Sequence, residues 1–340
     1  MHQSVQGKAP LDVNSLNRYF STKTLFDVEL SCNQEAHEVL QASLTDPSIR
    51  HALLSLRALR ENIETPEDSS ATPEQQTVSY NYGLEQYSKA LTGLASNLTY
   101  PDIDRIKSAL LCCQVLISVE QVRCNFSAMG LHIVRGLEII REYKPRPYLT
   151  ASNGLLPPRY GGLPSLDVFI IKMFAAPCRF SEPQAKAFPL VITPPPETPS
   201  SDRKLAPNMR TELVRIATAT IEFLSKVAQA RPETNISLLL QEKETLLTSL
   251  DAWVETLDNL QTESQPQEEP IQANFLRLFH HALRIVLLGN LSFPPDIDAK
   301  LKAENERLQK IANTVHERLK DYNMRQEVAS SLEDRAREKR

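Results

Sequence analysis

Apolar residues along this chain recur mostly at three- and four-residue intervals, the spacing of one face of a helix. In "TDPSIRHALLSLRALRENIE" (45–64) they fall at Ile49, Leu53, Leu56 and Leu59. Asp46 is placed to cap that helix and Pro47 to open it. "SYNYGLEQYSKALTGLASNL" (79–98) sets Tyr80, Leu84, Tyr87, Leu91 and Leu94 on one face, after an acidic, proline-broken loop at 64–76. From Ile106 to Val122 apolar residues fall on nearly every side, which predicts a helix at the centre of the fold. The next helix carries a stripe at Phe126, Met129, Ile133, Leu137 and Ile140, and Gly130 and Gly136 permit close contact with other helices. The two form an αα-hairpin that turns near Asn125.

The pattern lapses between Pro145 and Asn208, where Pro, Gly and Ser dominate around one short apolar helix, "SLDVFIIKMFAA". Three more amphipathic helices follow at 209–229, 236–260 and 273–290. Beyond Asp298 runs a long charged helix with a thin seam at Leu301, Leu308, Ile311, Val315 and Tyr322, interrupted by Arg318. Its seam residues contribute roughly 6–15 kcal/mol of burial, while association costs about 4–15 kcal/mol. Pairing with a second copy through this helix alone is therefore weak, and docking on its own body is an equal alternative.

The expected fold is all-α, with two packed helical lobes, a Pro-rich connector and a long C-terminal helix. The divisions are a disordered N-terminus (1–10), a first lobe (11–144), the connector with one docked helix (145–208), a second lobe (209–295) and the C-terminal helix (296–340). At 340 residues, folding buries roughly three quarters of the unfolded surface. Nine glycines against 23 prolines suit helices separated by proline-punctuated loops. A net charge of −4 works against non-specific binding to nucleic acid. The start lacks a secretory leader and no run is long enough to span a membrane, so a soluble intracellular protein with no membrane partner is expected.

Cys112 and Cys113 point about 100° apart on one helix, so core packing is favoured over a shared metal or redox centre. Pro-Asp-Ile-Asp occurs at 101–104 and 295–298. Both copies sit where a helix begins, which makes capping a better reading than a carboxylate site. His37-Glu38 and His316-Glu317 begin like zinc-protease helices, but Gln41 and Lys320 stand where the second histidine belongs. His280, His281 and Trp253 are read as packing residues. Arg335, Arg337, Lys339 and Arg340, interspersed with acids, are a solvated helix end or a weak import signal. No phosphate loop, dinucleotide fingerprint or nucleophile elbow is present. No catalytic, cofactor-binding or metal residue is assigned, no cofactor is expected, and an all-α enzyme is the least favoured reading.

The stretch "ALLCCQVLISVEQVRCNFSAMGLHIVRGLEIIREY" resembles the regulatory helical region of fungal zinc-cluster (Zn2Cys6) transcription factors. The likeness extends to "SIRHALLSLRALRE", "YGLEQYSKALTGLAS", "SLDVFIIKMFAAPCRF" and "FHHALRIVLLG". It implies a nuclear regulator of transcription, acting in many relatives on metabolic or secondary-metabolite gene clusters. Those relatives read DNA through six thiolates holding two zinc ions. Here Cys32 is the sole cysteine before Cys112, so that cluster and direct DNA reading are not expected. The resemblance then implies action through protein partners, a related factor or a co-regulator. The alternative is a helical domain that senses a small-molecule effector in an apolar cavity between the lobes.

Overall fold

A computed structural model describes residues 11–20, 30–64, 73–99, 101–150, 154–175, 208–262, 269–292 and 296–338. The expected disordered stretch 1–10 and most of the connector beyond 175 lie outside the described residues. Eleven helices and one two-stranded ribbon make up the architecture among the described residues, which is all-α as expected.

Two short helices that the apolar spacing did not announce come first, α1 (Val13–Phe20) and α2 (Asn33–Ser43). They precede α3 (Pro47–Glu64), α4 (Pro73–Thr99), α5 (Ile103–Val122) and α6 (Phe126–Tyr143). Capping falls where the sequence placed it at Asp46 and in the first Pro-Asp-Ile-Asp, while Pro295 and the Asp296 side chain of the second copy lie outside the described residues. Asp46 accepts from the N–H groups of Ser48 (2.7 Å) and Ile49 (3.2 Å). Asp102 accepts from that of Arg105 at 2.8 Å. Each satisfies N–H groups that the first helical turn leaves unpaired. The side chain of Asp46 also accepts from the hydroxyl of Ser108, which pins the start of α3 to the start of α5.

Helix α5 is the axis of this half. Fourteen of its twenty residues are buried, and α1, α2, α3, α4 and α6 all touch it. It ends in a tight reversal. Cys124 takes a left-handed conformation (φ 55), and Asn125 caps α6 by accepting from the N–H of Ala128 at 3.3 Å.

Helix α4 differs from its expected face and begins earlier, at Pro73 rather than beyond the loop ending at 76. Its buried positions are Gly83, Gln86, Ala90 and Leu94; Tyr80 is exposed, and Leu84, Tyr87 and Leu91 are half-buried. The reason lies in the close approach of α3. A Cβ on Gly93 would stand 2.1 Å from Oγ and 2.9 Å from Cβ of Ser48, and one on Gly83 2.9 Å from Leu59. Small residues face the neighbour, and the bulky stripe rolls to the flank. Replacing Gly93 by valine is expected to cost about 1–3 kcal/mol. Urea unfolding with an unchanged slope reads this directly, and an unshifted midpoint would show that the two helices do not meet there.

After α6 come the ribbon strands β1 (Tyr148–Leu149) and β2 (Leu155–Leu156), antiparallel, with Tyr148 opposite Leu156. Helix α7 (Leu166–Ala175) is the short apolar helix of the connector, buried along most of its length and touching α5 and α6. Gly136 of α6 makes room for it, since a Cβ there would lie 2.2 Å from Leu166. Helices α8 (Asn208–Gln229), α9 (Ile236–Thr262) and α10 (Ile271–Gly289) follow. Aromatic contacts tie the segments together: Phe20 to Phe169 at 5.0 Å, Phe126 to Phe275 at 4.9 Å, and Phe174 to Phe279 at 5.6 Å. The buried apolar residues from Leu16 to Leu319 form one continuous cluster.

The long helix α11 (Asp296–Glu338) lies along α6 and α10. It runs antiparallel to both: Asp298 meets Arg141 (2.5 Å) and Asn313 meets Ser127 (2.7 Å) on α6. Arg318 donates to the carbonyl of Glu269, just before α10, at 2.6 Å. The buried line is Leu301, Glu304, Leu308, Ala312, Val315 and Leu319, with Ile311 partly buried. Ala312 packs where a Cβ on Gly130 would come within 2.9 Å. Of the expected seam, the Tyr322 side chain lies outside the described residues.

Candidate functional site

The cysteine run comes first because it decides whether the core holds chemistry. Cys112 is fully buried and Cys113 is 4% exposed. Burial pushes both thiols up, Cys113 to about 12, and the neighbouring Cys113 and Asp46 raise Cys112 further. A thiol held protonated is a poor nucleophile and a poor metal ligand. Cys32 behaves alike: burial first, then the charge of Glu35, lift it to about 12. These sulfurs pack as small hydrophobes in the core.

The histidine starts separate. His37 is exposed, while Glu38 accepts from Gln34 at 3.1 Å. His316 contacts the carbonyl of Cys124 through Nδ1 at 3.2 Å and so belongs to the docking of α11. Among the described residues, no three His, Cys, Asp or Glu side chains come together in a way that could hold a metal ion. The side chains of Arg335 and Arg337 lie outside the described residues, as do Lys339 and Arg340.

His280, His281 and Trp253 are brought together. Trp253 donates its indole N–H to the carbonyl of Met209 at 2.8 Å, joining α9 to the start of α8. His280 stacks on that indole, with ring centroids 5.6 Å apart, and its Nε2 contacts the carbonyl of Leu250 at 3.1 Å. A carbonyl only accepts, so Nε2 carries the proton. Burial, with His281 and Arg284 beside it, depresses His280 to about 3. The neighbouring ring belongs to a cluster that the apolar pattern does not reveal. Glu304 of α11, 3% exposed, receives His281 at 2.7 Å, Arg284 at 3.3 Å and Arg307 at 2.6 Å. Burial alone would raise this carboxyl; the hydrogen bond and charge of His281, then Arg284 and Arg307, outweigh it and hold it at about 2. Asp251 of α9 takes the other side of Arg284. The cluster locks α11 to α10 and α9.

Other buried charges also join helices. Lys172 of α7 reaches Glu35 of α2 at 2.6 Å, and Arg146 pairs with Asp167. Glu120, fully buried, holds Arg123 at 2.9 and 3.1 Å, and burial raises its carboxyl in spite of that partner. Lys243 donates to the carbonyls of Asn290 (2.7 Å) and Leu291 (3.4 Å) and to Ser292 (2.5 Å) at the end of α10, and burial lowers it to about 8. Sequence spacing missed the pairings of Lys172, Arg146 and Lys243, because their partners come from distant segments, and these fix one segment against another. Glu120 and Arg123 lie three residues apart at the end of α5.

Among the described residues, no helix is long and apolar enough to cross a membrane. No family model matches the chain, and no solved structure matches it. Transcription regulator lscL of Purpureocillium lilacinum is 46% identical over an alignment of 340 residues, which takes in 96% of this chain and 81% of that protein. Identity at that level over nearly the whole chain means that it belongs to the family of the transcription regulator lscL.

Proposed function

We propose that the chain acts in the nucleus as a fungal transcription regulator that controls a metabolic or secondary-metabolite gene cluster through protein contacts. The observation that carries this is the near full-length identity to lscL. The interior adds support, because its buried charges and the rings of His280 and His281 are spent on pairing and packing, and its buried thiols fill the core. A zinc cluster of the fungal type needs six thiolates. This sequence has five cysteines, and Cys32, Cys112 and Cys113 are buried with raised thiols. The residues present do not fit that group, and we place the link to the promoter in a related factor or a co-regulator.

Two measurements test the reading together. Deleting the gene should change the transcripts of one co-regulated set of biosynthetic genes. The purified chain should carry no stoichiometric zinc and give no site-specific gel shift. Unchanged transcripts would remove the regulatory role; zinc together with a sequence-specific shift would replace protein contact by direct reading.

A further inference from the structure

Where α6 ends, Lys144 enters the left-handed region (φ 46), with its N–H still bonded to the carbonyl of Ile140 at 3.0 Å. The ribbon then carries the chain out and back, and the N–H of Arg159 donates to the carbonyl of Lys144 at 3.0 Å. That one bond joins two stretches the sequence keeps apart, Tyr143–Tyr148 and Arg159–Tyr160. The ammonium of Lys144 stands 4.2 Å over the ring of Tyr148, and the guanidinium of Arg159 5.4 Å from that of Tyr160. Tyr143 and Tyr160 lie 5.5 Å apart, centre to centre. Leu156, 40% exposed, stands across the ribbon from Tyr148. Gly161 and Gly162 have open space where side chains would be, so the approach to Tyr160 is clear.

The neighbouring arginines are neutralised, Arg141 by Asp298 and Arg146 by Asp167. Lys144 and Arg159 are not: among the described residues neither forms an ion pair, and the acid next in sequence, Glu142, is exposed on α6. A cation seated on a ring has one side shielded from water and its remaining N–H donors turned outward. The result is a tyrosine floor carrying two uncompensated cations beside an exposed leucine, on a chain whose net charge is −4.

We infer that this surface docks an acidic, partly apolar segment of a protein partner, its carboxylates on Lys144 and Arg159 and an apolar side chain against Tyr148 and Leu156. The inference rests on the reading that the chain works through protein contacts. A duplex fits the surface less well. Two phosphate contacts give a salt slope of only about −2, and the acidic body repels the rest of a polyanion.

The test is a fluorescence anisotropy titration of the full chain with a short labelled peptide of alternating glutamate and leucine. A lysine–leucine peptide and a random-sequence DNA duplex are run beside it. The acidic peptide should bind, more weakly as salt rises, and the lysine peptide should not. The double variant K144Q/R159Q should weaken binding about tenfold. Tyr148→Leu, which keeps both charges, should weaken it a few-fold, and circular dichroism should show the helices intact in each variant. Equal affinity for K144Q/R159Q, no binding at low salt, or tighter binding of the duplex with the same dependence on these residues would overturn the assignment. The titration is independent of transcripts. Unchanged transcripts on gene deletion would sink the regulatory role and leave the docking surface standing, and a failed titration would do the reverse.

Discussion

Glu304→Ala is expected to destabilise the protein by about 3–5 kcal/mol, the loss found when one member of a buried ionic set is removed. The carboxylate is 3% exposed and takes donors from His281, Arg284 and Arg307. Arg307 is 60% exposed and returns to water, and Arg284 keeps Asp251. His281, at 12% exposure, is left with its partner gone. Because Glu304 is the point where α11 meets α10, the damage should concentrate there. Hydrogen exchange should quicken along α11 and the face of α10 while α3 and α5 stay protected. Glu306→Ala, an exposed acid on the same helix, serves as control and should move stability by no more than about 0.5 kcal/mol. Replacing the pair with leucines, E304L/H281L, should recover much of the loss, because both members of the buried pair are then removed together. Equal urea midpoints for Glu304→Ala and Glu306→Ala would mean that α11 is not held at this point.

Helix α5 was legible because an apolar residue faced every direction, and only the centre of a bundle satisfies that pattern. The turn at Asn125, the caps at Asp46 and Asp102, and helices α8, α9 and α10 were legible for local reasons, the side chain and its target lying within a few residues. Two faces were not. On α4 the buried line runs through Gly83, Gln86, Ala90 and Leu94, with Gly93 meeting Ser48 beside it, and hydrophobic spacing cannot rank a glycine above a tyrosine. On α11 the seam includes Glu304, which polarity assigns to water; its burial is stable only because His281 and Arg284 arrive from another helix. The ribbon of β1 and β2 has two residues per strand, too few for an alternating pattern. Its consequence, Lys144 beside Arg159, was hidden for that reason in a stretch whose composition reads as connector. The sequence thus spoke for most helices and their ends and for the close approach at Gly130 and Gly136, and was silent on polar contacts that depend on two segments meeting.

Acid should unfold this protein early, and His280 is the main cause. Its ring is 2% exposed, stacked on Trp253, with His281, Arg284 and Glu304 as the charged groups around it. In the fold it stays neutral down to about 3, whereas an unfolded chain takes up the proton near 6.5. Between those values the unfolded state binds the extra proton, so stability falls as the pH falls. It is fully present above 6.5 and is lost progressively towards 3, by about 4–5 kcal/mol. His132, lowered to about 4 by burial, adds to the same slope. Glu304, held at about 2 against its ordinary 4.5, steepens it only below 4.5. In the interval from 6.5 to 4.5 the two histidines act together, opposed by Glu120, whose carboxyl burial raises above its ordinary 4.5. His280→Leu should be less stable than the parent at pH 7.5, because the carbonyl of Leu250 loses its donor, yet its stability should fall no more than about half as fast as the pH drops through that interval. His280→Leu/His132→Leu should no longer lose stability there. A parent whose urea midpoint does not change between pH 6.5 and 4.5 would show that His280 is not buried neutral against Trp253, and the junction of α9 with α10 would have to be built differently.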